Sequence, residues 1–362
     1  MAQRIHLHAP PLRGKRERIV PLLQTNNVAV VGCGLIGRRR AECASEHAGS
    51  RLARVVDVNL AAAEALASQY QAIASTTWRE AVTDPEIDIV SVATPNGYLA
   101  EIAIAALEAG KHVLVEKPMG RNVSEATAMA EASSRSGRIL KVGFNHRYHP
   151  ALTRAYELFR AGEIGDIINI RARYGHGGRP GYEHEWRGSA ELAGGGELTD
   201  QGVHVADLIH WFSGLPSEAF AYTQTAVWPI APLEDNALGL FRFENGAVAS
   251  FHTSWTQWKN MFSFEIFGTK GSLTVDGLGK SYGLERLTFT KRKVGGGVPD
   301  SIEEEFGGDD LSWQREWSDF MNAINTGEEY WGSPLDGVAA MRMIFALYGS
   351  AERRLPVRIA DC

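Results

Sequence analysis

From residue 28 onward the chain alternates short, wholly apolar runs with longer stretches whose apolar positions recur at helical spacing. The run VAVVG at 28–32 is apolar, β-branched and broken by glycine, the pattern of a strand buried on both faces. A helix is predicted over 35–48, a second strand over 51–58 and an alanine-rich helix over 60–70. A strand at 88–94, a helix at 98–110 closed by Gly110 and a strand at 112–118 stopped by Pro118 come next. A helix at 124–137 and a strand at 139–145 complete the series. Strands alternating with helices of this length predict an α/β unit with a parallel, doubly wound sheet.

Past residue 150 the rhythm changes. A helix at 151–161 leads to a strand at 167–174, a long glycine-rich loop and a helix at 201–211. Strands then follow without intervening helices. Asn245-Gly246 separates two strand-like runs within 237–255, a strong hairpin signal, and 262–277 turns again at 268–271. Helical patterns return at 313–325 and 337–351. This half reads as α+β with a large, mostly antiparallel open sheet, one face alternating aromatic with polar residues and free to pair with another subunit. The expected division is an arm at 1–26, a nucleotide-binding domain at 27–149 and a substrate-binding and oligomerisation domain at 150–362.

Length supports two domains, since 362 residues exceed one comfortable core. The formal net charge of −6 argues against a protein built to wrap nucleic acid or an anionic membrane. No run approaches the length of an apolar bilayer span. Cys33, Cys43 and Cys362 form no paired framework, which fits a reducing compartment, and the cytoplasm is the expected location. The first 26 residues carry Arg4, Arg13, Lys15, Arg16 and Arg18 without a secretory apolar core. They read as a loose arm, an upstream start, or an arm gripping a neighbouring subunit.

Chemistry enters with Gly32-Cys33-Gly34-Leu35-Ile36-Gly37, a G-x-G-x-x-G between a strand and a helix. The first glycine permits the turn, the second admits a pyrophosphate to the backbone, and the third lets helix and strand pack closely. Asp57 ends the second strand 20 residues beyond Gly37, where its carboxylate can accept both ribose hydroxyls of an adenosine. A carboxylate there repels a 2′-phosphate, so NAD is expected over NADP. Arg38, Arg39 and Arg40 could offset that repulsion, but read mainly as a solvated helix face.

Glu116-Lys117-Pro118 closes a strand at its carboxyl end, where such sheets bind ligands. A lysine there can stabilise negative charge on a reacting oxygen, or it is a surface lysine before a turn. Asp200 and His204 stand four apart at a helix start, so both can face one side. Imidazole suits removal of a hydroxyl proton, with an oxidation rate rising through an ionisation near neutrality. The plainer readings are a helix cap and a packed core histidine. Asp207, three residues on, orients the imidazole or joins a polar network. His176, His184, Glu183 and Glu185 lack ligand spacing, so no metal is expected.

In order, the glycine loop, Thr94-Pro95-Asn96, Glu116-Lys117-Pro118, Gly143-Phe144-Asn145 with Arg147, Trp186-Arg187, GGGELTDQGVHVADL and FGTKGSL resemble the glucose-fructose oxidoreductase/inositol dehydrogenase/MocA family. The resemblance runs from residue 28 to 271, with a similar helical tail. It implies a Rossmann domain followed by an α/β domain whose open sheet mediates dimers or tetramers, and it allows for a cis Lys117–Pro118 bond. It implies that Lys117, Asp200 and His204 are catalytic. Asn145, Arg147, Trp186 and Arg187 are then expected toward the substrate, and Thr94, Pro95, Asn96 and Glu116 toward the nicotinamide. The implied activity is NAD-dependent hydride transfer at a carbinol carbon of a sugar, a phosphorylated or nucleotide-linked sugar, or inositol. A recycled NAD supporting elimination, epimerisation or glycoside cleavage, and a non-catalytic sensor, are the alternatives. The chain departs from many relatives at Leu99, where they carry histidine, and at His146, where arginine or another residue is common. The loop holding His176 and Arg179 reads as an anion-holding mouth or a glycine-rich lid.

Overall fold

The computed structural model describes residues 25–362, so the arm expected at 1–26 lies, except for its last two residues, outside the described residues. The first half runs β1 (Asn26–Val31), α1 (Leu35–Glu46), β2 (Ser50–Val56), α2 (Leu60–Tyr70), β3 (Ile73–Ser75), α3 (Trp78–Thr83) and β4 (Ile89–Val92). It continues through α4 (Asn96–Glu108), β5 (His112–Val115), α5 (Val123–Ser136) and β6 (Leu140–Val142). All six strands are parallel, in the order β3-β2-β1-β4-β5-β6. The order reverses between β1 and β4, and the crevice beyond the carboxyl ends there is where such sheets bind ligands. The short β3 and α3 escaped the sequence pattern. The strand expected at 139–145 ends at Val142, because the Phe144 amide turns back onto the Val142 carbonyl and a 3₁₀ turn follows at Asn145–Tyr148.

The second half opens with α6 (Pro150–Arg160) and β7 (Ile167–Gly175), then the short helices α7 (Ala190–Ala193) and α8 (Glu197–Asp200) before α9 (Gly202–Ser213). Seven strands follow: β8 (Glu218–Gln224), β9 (Asn236–Arg242), β10 (Val248–Ser254), β11 (Met261–Gly268), β12 (Gly271–Asp276), β13 (Glu285–Lys291) and β14 (Ser301–Phe306). After α10 (Ser312–Thr326) and α11 (Pro334–Arg353), β15 (Val357–Arg358) closes the sheet edge. The nine strands lie in the order β14-β13-β12-β11-β7-β10-β9-β8-β15. Every pair is antiparallel except β7 with β10. Helices α9 and α11 pack together, and α11 lies on β8, in a core that includes Phe241, Phe251, Ile344 and Leu347. Residues alternate across the sheet, so Tyr222, Leu238 and Leu240 are left exposed on the strands β8 and β9.

The tail does not stay with the second sheet. Trp317, Phe320 and Met321 of α10 share a core with Val28 and Val30 of β1 and Ala41 of α1, and the Trp317 indole donates to Ser50 Oγ at 3.1 Å. The buried residues of α1 are Gly37, Arg40, Ala41, Cys43 and Ala44, a helical spacing that places Arg40 inside. The solvated arginine face is therefore corrected at Arg40, which is fully buried between Glu116 (2.7 Å) and Glu316 (2.6 Å), with Trp313 stacked on it at 4.6 Å. Arg38 and Arg39 remain exposed.

Candidate active site

The glycine loop takes the shape its three roles require. Gly32 has φ +99°, and a Cβ there would stand 2.4 Å from the Ala93 carbonyl oxygen. A Cβ on Gly37 would lie 1.7 Å from the Gly32 oxygen, whereas one on Gly34 would meet nothing within 4 Å. The loop thus packs tightly where it meets protein and stays open where it faces the cleft. Leu35, Ile36 and Gly37 begin α1, so their amides have no carbonyl of their own helix to meet and suit an anion. Asp57 lies at the same rim. Its Oδ2 accepts from the Cys33 amide at 2.7 Å and its Oδ1 from the Asn59 amide at 2.9 Å, so the carboxylate also ties the loop to β2. These residues fit a dinucleotide.

The cleft, about 1400 Å³, runs from this loop past Thr94, Pro95 and Asn96 to Lys117, Asp200 and His204. Thr94 Oγ1 is buried without a partner, while Asn96 Nδ2 donates to the Ala193 carbonyl and joins α4 to α7. Glu116 reaches the cleft wall, but its carboxylate is engaged by Arg40.

Lys117 follows β5, and the Lys117–Pro118 bond is cis. Its Nζ donates to the Asp200 carbonyl at 2.7 Å and to Asp200 Oδ1 at 2.9 Å. Arg187 Nε donates to the other carboxylate oxygen at 3.0 Å. Burial alone would raise the Asp200 carboxyl, but Lys117 and Arg187 outweigh it and hold the group ionised, well below the usual range. One carboxylate therefore fixes two cations at the end of the cleft. Arg187 also stacks on Trp186, 4.4 Å from guanidinium to ring.

Asp200 and His204 do not share one continuous helix: α8 ends at Asp200 and α9 starts at Gly202, with Gln201 between them. The imidazole makes no pair with the Asp200 carboxylate. His204 Nδ1 is buried without a partner, and the ring stacks on His146 at 3.7 Å between centroids, 17° from parallel. Burial, then Lys117 and His149, push the imidazole well below its usual range, so it is neutral near neutrality.

Arg147 requires a correction. Expected toward the substrate, it is buried, donating to both Asp207 oxygens at 2.9 and 2.6 Å and lying 3.1 Å from Asp336. Asp207 accordingly holds Arg147 and does not orient His204. Asn145 does line the cleft, with Nδ2 donating to Ser312 Oγ at 3.0 Å. Leu99 is fully buried. Arg179, in the glycine-rich loop, is paired with Glu185 at 2.7 Å, and the His176 ring accepts from the Gly178 amide. Among the described residues no group of three or more His, Cys, Asp or Glu is arranged to hold a metal ion.

Two wall residues, His149 and Tyr282, had no signal in the sequence, while Gln201, within the GGGELTDQGVHVADL run, and Tyr174, at the end of a predicted strand, had been given no role. Glu197 escaped as well. It sits at the start of α8, fully buried, with neither carboxyl oxygen partnered, and burial next to Asp200 raises it far above the usual carboxyl range.

Comparison with known proteins accounts for both halves. Residues 26–144 match the family model described as oxidoreductase family, NAD-binding Rossmann fold, and residues 152–274 match the GFO/IDH/MocA C-terminal domain. Levoglucosan dehydrogenase of Pseudarthrobacter phenanthrenivorans is 34% identical over 226 residues, 55% of this chain and 58% of that protein. The 1,5-anhydro-D-fructose reductase of Ensifer adhaerens is 33% identical over 221 residues, 61% of this chain and 63% of that one. The chain thus spans about six-tenths of the length of each of these two curated relatives. A solved levoglucosan dehydrogenase, in complex with NADH and levoglucosan, superimposes with TM-score 0.85 at 27% identity, covering 93% of this chain and 100% of that one.

Proposed function

The chain belongs to the GFO/IDH/MocA family of NAD-binding oxidoreductases, and from that premise we propose that it transfers hydride between a nicotinamide and a carbinol carbon of a sugar, sugar derivative or inositol. The observation that carries this reading is one cleft holding both the open glycine loop and the pair Lys117 and His204. Gly32, Gly34, Leu35, Ile36, Gly37, Asp57 and the 94–96 segment would hold NAD, which when bound supplies the hydride acceptor.

The protein's own groups do the rest. With Nδ1 buried, His204 turns Nε2 to the substrate hydroxyl and takes its proton there. Lys117 Nζ stabilises the charge that develops on the same oxygen, and Asp200 fixes where that charge sits. Arg187, Trp186 and Asn145 form the sugar's remaining walls. The relatives named levoglucosan dehydrogenase and 1,5-anhydro-D-fructose reductase support a sugar-like substrate.

The reading extends to a cytoplasmic homodimer or homotetramer. Unpaired Cys33 and Cys43 suit a reducing compartment, and the exposed Tyr222, Leu238 and Leu240 offer an apolar face to a second copy. Purified protein incubated with NAD and a panel of sugars, anhydrosugars, sugar phosphates, uronates, UDP-sugars and inositols should form NADH with at least one class. No NADH from any member, together with NAD retained through gel filtration, would replace this reading with a closed redox cycle.

A further inference from the structure

His146 belongs to the 3₁₀ turn after β6 and lines the cleft beside His204. The two rings lie 3.7 Å apart between centroids and 17° from parallel. Both are buried, and each has one ring nitrogen with no partner: Nε2 of His146 and Nδ1 of His204. His146 Nδ1 meets Asn145 Oδ1 at 3.2 Å, and its edges are closed by Tyr174, His149 and Phe262. This ring is therefore clamped on three sides and offers its face to the base.

Resting on the proposed role of His204 as base, we propose that His146 is a positioning residue for the reaction: its clamped ring fixes the plane of His204, and the stacked pair carries one proton but not two. A neutral ring lying flat on an imidazolium is attracted to it, as cations are to aromatic faces. Two imidazoliums at this separation in a buried site would repel strongly. The other groups facing the pair strengthen that exclusion. Lys117 is cationic beside both rings, and His149 stands edge-on to His146. The carboxylates of Glu285 and Asp310 face His149, 2.7 and 3.9 Å from its Nδ1, and Tyr174 packs on His146 as a neutral ring. A transferred proton thus finds one place to rest, over the cleft on His204.

The test reads protonation and needs no substrate. Protein labelled with ¹⁵N-histidine and saturated with NAD is titrated by long-range ¹H–¹⁵N correlation, with the two rings assigned through His146→Phe and His204→Asn. In the wild-type protein the two rings should never be protonated together at any pH where the fold survives. In His204→Asn, which removes the ring that takes the first proton, His146 should take up a proton at a pH where the wild-type ring is still neutral. Wild-type rings that protonate together, or a His146 curve that is the same in the wild type and in His204→Asn, would overturn the inference. The wild-type measurement stands even if either variant folds poorly. Either failure leaves hydride transfer itself intact, since NADH formation tests that separately.

Discussion

Arg147 grips Asp207 through two hydrogen bonds of 2.9 and 2.6 Å, which join the turn after β6 to the middle of α9. Both residues are buried, so the pair works inside the protein and not at the substrate. Removing Asp207 leaves the buried Arg147 with only the partly exposed Asp336, 3.1 Å away, to balance it. Asp207→Ala should therefore lower unfolding free energy by about 3–5 kcal/mol in urea melts, while the folded fraction keeps its hydride-transfer rate. A stable variant with a raised KM would return Arg147 to the substrate.

His204 sets the pH dependence of oxidation. A base works when deprotonated, and burial with Lys117 and His149 pushes this imidazole well below its usual range. The rate should therefore stay level through neutrality and fall only on the acid side, which corrects the near-neutral ionisation expected from an ordinary histidine. His204→Asn should lower kcat by roughly 10²–10⁴ and abolish the acid limb, with NAD affinity unchanged by fluorescence titration. A retained limb would place the base elsewhere.

Asp57 predicts the cofactor. NAD should exceed NADP in kcat/KM, and Asp57→Ser should narrow or invert the gap. Because Asp57 also accepts from the Cys33 amide, the same change should loosen the loop and weaken NAD binding itself. Equal wild-type efficiency with both cofactors would mean that the exposed Arg38 and Arg39 outweigh the carboxylate.

Glu197 makes a stability prediction with a definite sign. Its folded-state carboxyl is raised by burial, so the folded protein holds a proton that the unfolded chain releases above about pH 4.3. Its contribution is fully present below that pH and is lost as pH rises toward the folded-state value. Across that window Glu197→Gln should gain on the wild type by up to about 1.4 kcal/mol per pH unit. Urea melts at several pH values measure the gap. A gap independent of pH would mean that the carboxylate is already ionised.

Where pattern and structure agree, the signal was local. The strand-helix alternation and the hairpin at Asn245-Gly246 follow from side chains within a few residues of each other, and the hairpin joins β9 to β10 in antiparallel register. The glycine loop was legible because each glycine answers a separate steric demand within six residues. Arg147 and Arg40 were misread for one reason: their partners lie far along the chain, 60 residues away at Asp207 and 276 at Glu316. An arginine in a loop or a run of three arginines looks like a ligand group or a wet surface until that distant carboxylate is placed. The His146–His204 stack was invisible for the same reason, since β7 and α6 to α8 separate the two rings in sequence.

The packing of α10 under β1 has a consequence for how the protein is made. Val28, Val30 and Ala41 leave the ribosome early, but Trp317 and Phe320, which cover them, emerge almost 300 residues later. Until then the core that α1 and α2 form on one side of the first sheet is only partly covered, and Arg40 lacks the carboxylate of Glu316. Domains commonly fold in order as they are synthesised, yet here the first must wait for the last helices to be finished. A ribosome stalled after the first sheet would hold a chain with apolar surface open to chaperones, and release would depend on translating the tail.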